Sequence, residues 1–245
     1  MTNLSATAVG TSVTAEELQQ PVASAIHTVV LLVVLVVWAY MSRMHAIGMR
    51  AGTAPSHMII YLRTLVFEWA MFAFVVYGIQ RRGVTFRELV GPRWTSVKKV
   101  FLDIGIGIGF LMISFLALGL VGRLLNDTPS LDSVRFLAPK GVLEMTVWLL
   151  LSFTAGICEE TIFRGYLQRQ IIGWTKVPAV GIIVSGILFG AVHIYQGEKH
   201  AIAIAVLGML LGVLAVMRRS LKPGMISHMI QDSIGGIVLN RMVNH

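Results

Sequence analysis

Glu159 and Glu160 stand side by side, with Arg164 four residues beyond the second, in a chain that is otherwise strongly apolar. Two histidines, His193 and His228, also fall within or beside apolar stretches, and Asp232 follows the second of them by four residues. Ionisable groups at membrane depth are costly, so they are paired, hydrated or functional. Carboxylates and imidazoles together can move protons. A carboxylate can draw a proton from water and return it to a leaving group, while an imidazole orients that water or donates to a developing oxyanion. Residues four apart share a helix face, so Glu160 and Arg164 are placed to form an ion pair. Glu159 is turned about 100° from Glu160 and stays free to face a cavity. The two acids could equally cap the end of a span at headgroup level, and the local sequence leaves that alternative open.

Depth along the helices brings the other groups in. Residues 173–178 carry Gly173 and Pro178, a turn signal. If the helix through Glu159 runs to that turn, Glu159 lies fourteen residues before Gly173 and His193 fifteen after Pro178. At 1.5 Å per residue both are about 21–23 Å from the turn. Glu159 and His193 then face each other across a helical hairpin and can share one water, Glu159 as base and His193 orienting it. Taken alone, His193 also suits the end of a span at the interface. His228 and Asp232 share a face of an apolar helix that starts at about Pro223. The imidazole could stabilise an oxyanion with Asp232 fixing its tautomer, or the two could be a self-satisfied polar pair between helices. Plain antiparallel stacking puts His228 only about 7–8 Å past Pro223, some two turns shallower than Glu159 and His193.

The elements that must hold these residues are membrane helices. Of the 245 residues 56% are hydrophobic and only 13% charged, where a soluble domain has about a quarter charged. Apolar runs near 22–41, 58–79, 100–122, 142–159 with a helical continuation, 177–194, 201–217 and 223–240 predict an all-α, polytopic bundle of about 7–8 transmembrane helices. Residues 1–21 read as a disordered tail, and 22–245 as a single transmembrane domain with its catalytic core at about 142–240. The net charge of +8 resides largely in short loops, above all residues 80–99, where it orients helices against anionic headgroups and does not imply nucleic acid. The bilayer itself is the expected environment, as a multi-pass protein of a prokaryotic cell membrane. Cys158, the one cysteine, excludes an internal disulfide and reads as a small apolar filler. Glu68, Asp103 and Glu144 read as structural polar contacts, Gly105, Gly107 and Gly109 as sites of close helix packing, and Gly208 and Gly212 as a tight crossing. Two histidines and a carboxylate also form a catalytic zinc set, but the tight His-Glu-x-x-His run is absent.

In order, Glu159-Glu160-x-x-x-Arg164, Phe189-x-x-x-His193 and His228-x-x-x-Asp232 resemble the three motifs of the CAAX prenyl protease and bacteriocin-processing (CPBP, or Abi) family of glutamate-type intramembrane endopeptidases. Phe163-Arg164-Gly165, Phe189-Gly190, Gly208 and Gly212 fit the same pattern, which covers roughly residues 142–240. The resemblance implies peptide-bond hydrolysis with no metal or other cofactor, on a membrane-associated or lipidated protein or peptide. It implies that Glu159 and His193 activate water, that His228 and Asp232 form the oxyanion site, and that Glu160 and Arg164 support them. Prenyl-type members carry Asn where this chain has Asp232. An aspartate donates a hydrogen bond only when protonated, which favours an orienting role and weakens the link to a prenylated substrate. A different function known in such chains, membrane interaction or bacteriocin immunity with catalysis dispensable, is the alternative.

Overall fold

The computed structural model describes residues 20–51, 56–126 and 134–244. Nearly all of the tail expected at 1–21 lies outside them. Among the described residues the chain is helical and has no strand: α1 (Ala25–Arg50), α2 (His57–Gln80), α3 (Phe86–Val90), α4 (Val97–Leu124), α5 (Gly141–Glu159), α6 (Arg169–Thr175), α7 (Pro178–Val192), α8 (Glu198–Arg218) and α9 (Lys222–Asn244). The all-α membrane bundle read from the sequence is the architecture found. Among the described residues five helices are long and apolar enough to cross a membrane: α1, α2, α4, the continuous helix 141–175, and α8. The remaining apolar runs became α7, which is apolar but only 15 residues long, and α9, whose 23 residues include His228, Gln231 and Asp232.

Local chemistry sets the boundaries. Ser24 and Ser96 accept backbone N–H bonds at the starts of α1 and α4, and Thr85 with Glu88 forms a capping box on α3. That short helix interrupts the basic connection at 80–99. Pro178 opens α7, where a missing N–H costs nothing. The outer faces of α1 and α4 expose Val29, Val33, Val36, Phe101 and Leu116. Apolar patches of this extent need lipid to cover them. Inside, Leu31, Leu35, Val75, Ile79, Phe163, Tyr166 and Phe189 form one buried cluster that also encloses Cys158.

Between α5 and α6 the helix widens into a π-helical segment, Glu160–Gln168, all nine residues of which are buried. Such segments misalign the backbone ladder and need outside partners. Here Ser185 Oγ donates to the Phe163 carbonyl at 2.7 Å, and Tyr166 Oη meets His27 Nδ1 at 2.8 Å and Thr28 Oγ1 at 2.9 Å. Gln168 Nε2 donates to the Gly212 carbonyl at 3.1 Å. A side chain at Gly208 would come within 3.1 Å of the Gly186 Cα, so the glycines of α8 admit both α7 and the π segment. Of the three glycines of α4, only Gly107 makes a close approach: its missing Cβ would lie 2.9 Å from the Pro223 carbonyl. The faces of Gly105 and Gly109 are open.

Candidate active site

The π segment fixes the two glutamates differently. Glu160 points inward: Arg164 Nη1 donates to its Oε1 at 2.9 Å, and both side chains are fully buried. His228 Nδ1 lies 3.2 Å from the same oxygen, so Glu160 ties the π segment to α9 as well as to Arg164. Phe189 covers this group, its ring 4.1 Å from the guanidinium carbon and edge-on to His228 at 5.9 Å. Gly224 gives Glu160 its room, since a Cβ there would sit 3.2 Å from Oε2.

Glu159, the last residue of α5, faces the other way. Its Oε1 lies 3.9 Å from His193 Nε2 and its Oε2 3.6 Å from His228 Nε2. Oε2 is buried and has no hydrogen-bond partner. His193 caps α7, and its Nδ1 donates to the Phe189 carbonyl at 2.7 Å. That bond fixes the tautomer and leaves the Nε2 lone pair toward Glu159. Asp232 Oδ2 is 3.5 Å from His228 Nε2, while its backbone carbonyl accepts from Trp148 Nε1 at 2.9 Å. Glu159, His193, His228 and Asp232 therefore surround one point.

His228 reaches that point because α9 does not begin at the level of the 173–178 turn. Leu221 N–H donates to the Val90 carbonyl at 3.0 Å, and the Leu221 side chain lies 3.0 Å from where a Cβ on Gly165 would be. Gly165 is eight residues, about 12 Å of helix, short of Gly173. The two-turn mismatch expected from plain stacking is thus removed by setting the start of α9 deep in the bundle. Gly156 then brings α5 and α9 together, with a missing Cβ 2.9 Å from the Met225 carbonyl.

All four residues line a cavity of about 670 Å³ whose walls also include Trp38, Arg63, Phe67, Phe189 and Tyr195. A volume of this size accommodates a peptide-sized ligand segment. Tyr195 has its phenol pushed up by burial, against a hydrogen bond from Gln196, with the charges of Glu159, Asp232 and Glu68 adding to the rise. It remains a neutral O–H donor on the wall. Glu68 of α2 lines the same cavity, buried, with Oε2 unpartnered and within electrostatic range of Glu159, Asp232 and His228. In sequence Glu68 looks like Asp103 and Glu144, a lone structural acid. Those two do make structural contacts: Asp103 accepts from Trp94 at 2.8 Å, and Glu144 accepts the Lys140 N–H at 2.7 Å. The signal that separates Glu68 is its place in the middle of an apolar span, away from either end.

Residues 141–234 match the family model described as type II CAAX prenyl endopeptidase Rce1-like. Over that segment the chain is similar to the CAAX-protease family. No curated protein and no solved structure gives a significant match to the chain. The CAAX-protease segment starts with α5 and ends just after Asp232, so it contains the π segment and all four residues around the central point. Glu68 and Arg63 lie outside it, on α2.

Proposed function

We propose that the chain is an intramembrane endopeptidase in which Glu159 activates water with His193, and His228, steadied by Asp232 and Glu160, stabilises the oxyanion. At family level the CAAX-protease segment supports peptide-bond hydrolysis within a membrane. The observation that carries the residue assignment is the position of Glu159, whose two carboxylate oxygens each face a different imidazole Nε2, at 3.9 Å and 3.6 Å. Neither gap is a direct hydrogen bond, but a water oxygen can reach both Glu159 Oε1 and His193 Nε2 at normal hydrogen-bond lengths.

The water gives one proton to Glu159 and hydrogen-bonds through the other to His193 Nε2. Its oxygen adds to the scissile carbonyl carbon, and the carbonyl π electrons move to the oxygen. Doubly protonated His228 holds Glu160 through Nδ1–H and offers Nε2–H to that oxyanion. Collapse breaks the C–N bond, and the leaving nitrogen takes the proton held by Glu159, which regenerates the carboxylate. The mostly apolar cavity, set among lipid-facing helices, suits a membrane-associated or lipidated peptide.

The test uses the full chain in liposomes with membrane-anchored peptides, read by mass spectrometry. Cleavage should fall by about 10²–10⁴-fold in Glu159→Gln and in His193→Ala, and should persist in chelator. Cleavage that survives Glu159→Gln, or that chelator abolishes and zinc restores, overturns the assignment.

A further inference from the structure

Arg63 is a cation inside α2, six residues beyond its first residue, and it lines the same cavity as Glu159. Its surroundings are built. Nη1 donates to His45 Nε2 at 2.8 Å, and His45 Nδ1 in turn lies 2.7 Å from the Met41 carbonyl. His45 must therefore carry its proton on Nδ1 and accept through Nε2, which makes it a neutral orienting group and not a counter-charge. The guanidinium carbon lies 5.3 Å from the Trp38 ring, and Trp38 is stacked on Phe67 at 3.7 Å, within 3° of parallel. Among the described residues no carboxylate pairs with Arg63, and its buried Nε has no hydrogen-bond partner. An oriented, partly unsatisfied guanidinium in a membrane-spanning helix calls for an anion.

The cavity also fixes how an anion would lie. Glu68, Glu159 and Asp232 all line it and repel a negative group from their end. Arg63 precedes Glu68 by five residues, about 7.5 Å along the helix axis, a distance spanned by two or three extended peptide residues. The anion that every unmodified peptide carries is its C-terminal carboxylate. We infer that Arg63, oriented by His45 and Trp38, is the subsite for the C-terminal carboxylate of the peptide substrate. This rests on the peptidase reading above. It makes α2, outside the CAAX-protease segment, the element that selects chain ends and sets the direction in which a peptide enters.

The probe is a fluorescent, lipid-anchored peptide ending in three apolar residues, prepared as the free acid and as the C-terminal amide. The full chain in liposomes should cleave the acid at least about tenfold more efficiently in kcat/KM than the amide. Arg63→Gln should reduce that ratio to within about twofold, chiefly through KM, and Arg63→Lys should restore part of it. Equal cleavage of acid and amide by the unaltered chain, or full discrimination in Arg63→Gln, overturns the inference. Binding of the two peptides to the Glu159→Gln chain reads the same preference without turnover. Acid-selective binding that needs Arg63, when the unaltered chain cleaves neither peptide, would support the carboxylate subsite and count against the peptidase reading. Non-selective binding overturns the subsite.

Discussion

Replacing Arg164 by Met should be among the most damaging single changes in the bundle, and replacing Glu160 by Gln at the same time should undo much of the damage. Both side chains are essentially without solvent exposure, and their 2.9 Å contact is an ion pair inside the π segment that His228 of α9 joins through Glu160. Removing one partner of such a pair leaves an uncompensated charge, at a cost of about 3–5 kcal/mol. Glu160 would keep His228 Nδ1 at 3.2 Å, and Met would keep part of the contact with Phe189, so the lower end applies: about 3 kcal/mol, or roughly a hundredfold in the folding equilibrium. In Glu160→Gln/Arg164→Met neither charge of that pair is left behind, and His228 keeps the Gln carbonyl for its Nδ1–H and the carboxylates of Glu159 and Asp232 beside Nε2, so stability should return to within about 1 kcal/mol of the unaltered chain. Unfolding of purified protein in mixed micelles, titrated with denaturing detergent, measures all corners of the cycle. The double variant should be stable yet slow, because His228 has lost the carboxylate that holds its Nδ1. A loss below about 1 kcal/mol in Arg164→Met, or additive effects around the cycle, would refute the buried-pair reasoning.

Three further outcomes follow from particular contacts. Gly156→Ala should destabilise by about 1–3 kcal/mol and lower kcat, because its Cβ would press on Met229 and on the Met225 carbonyl, driving α9 and His228 from Glu159; the same unfolding titration with a cleavage assay checks both. Phe189→Ala should cost about 3–5 kcal/mol, since the ring packs on Arg164, His193, His228 and Phe163; no measurable loss would show that the cluster is not held by this ring. Glu68→Leu should leave stability equal or higher, since it removes a buried oxygen that has no partner, and should lower turnover, since it takes a carboxylate from the cavity. Unchanged turnover would return Glu68 to a purely structural role.

The helices, the apolar faces and the hairpin that brings Glu159 to His193 are legible in the sequence because they rest on local rules: run length, 1.5 Å per residue, and a Gly/Pro turn. The Glu160–Arg164 spacing is local too, although the helix around it widened to π, which spacing alone does not announce. His228 is harder to place. Its depth depends on Leu221 packing against Gly165 and bonding to Val90, contacts between segments far apart in the chain. Glu68 is illegible for the same reason: a lone acid looks the same in sequence whether its oxygens meet a partner, as in Asp103, or a cavity. Arg63 gave no sequence signal, because its lack of a carboxylate partner is a property of the assembled bundle.

In the proposed mechanism Glu159 acts as a base toward water and not as a nucleophile itself. A single turnover in H₂¹⁸O, with enzyme in excess over a membrane-anchored peptide, tests this directly. Direct water attack predicts one ¹⁸O in the new peptide carboxylate on the first turnover and none in Glu159. An unlabelled first-turnover product, with ¹⁸O recovered in the Glu159 side chain, would contradict it.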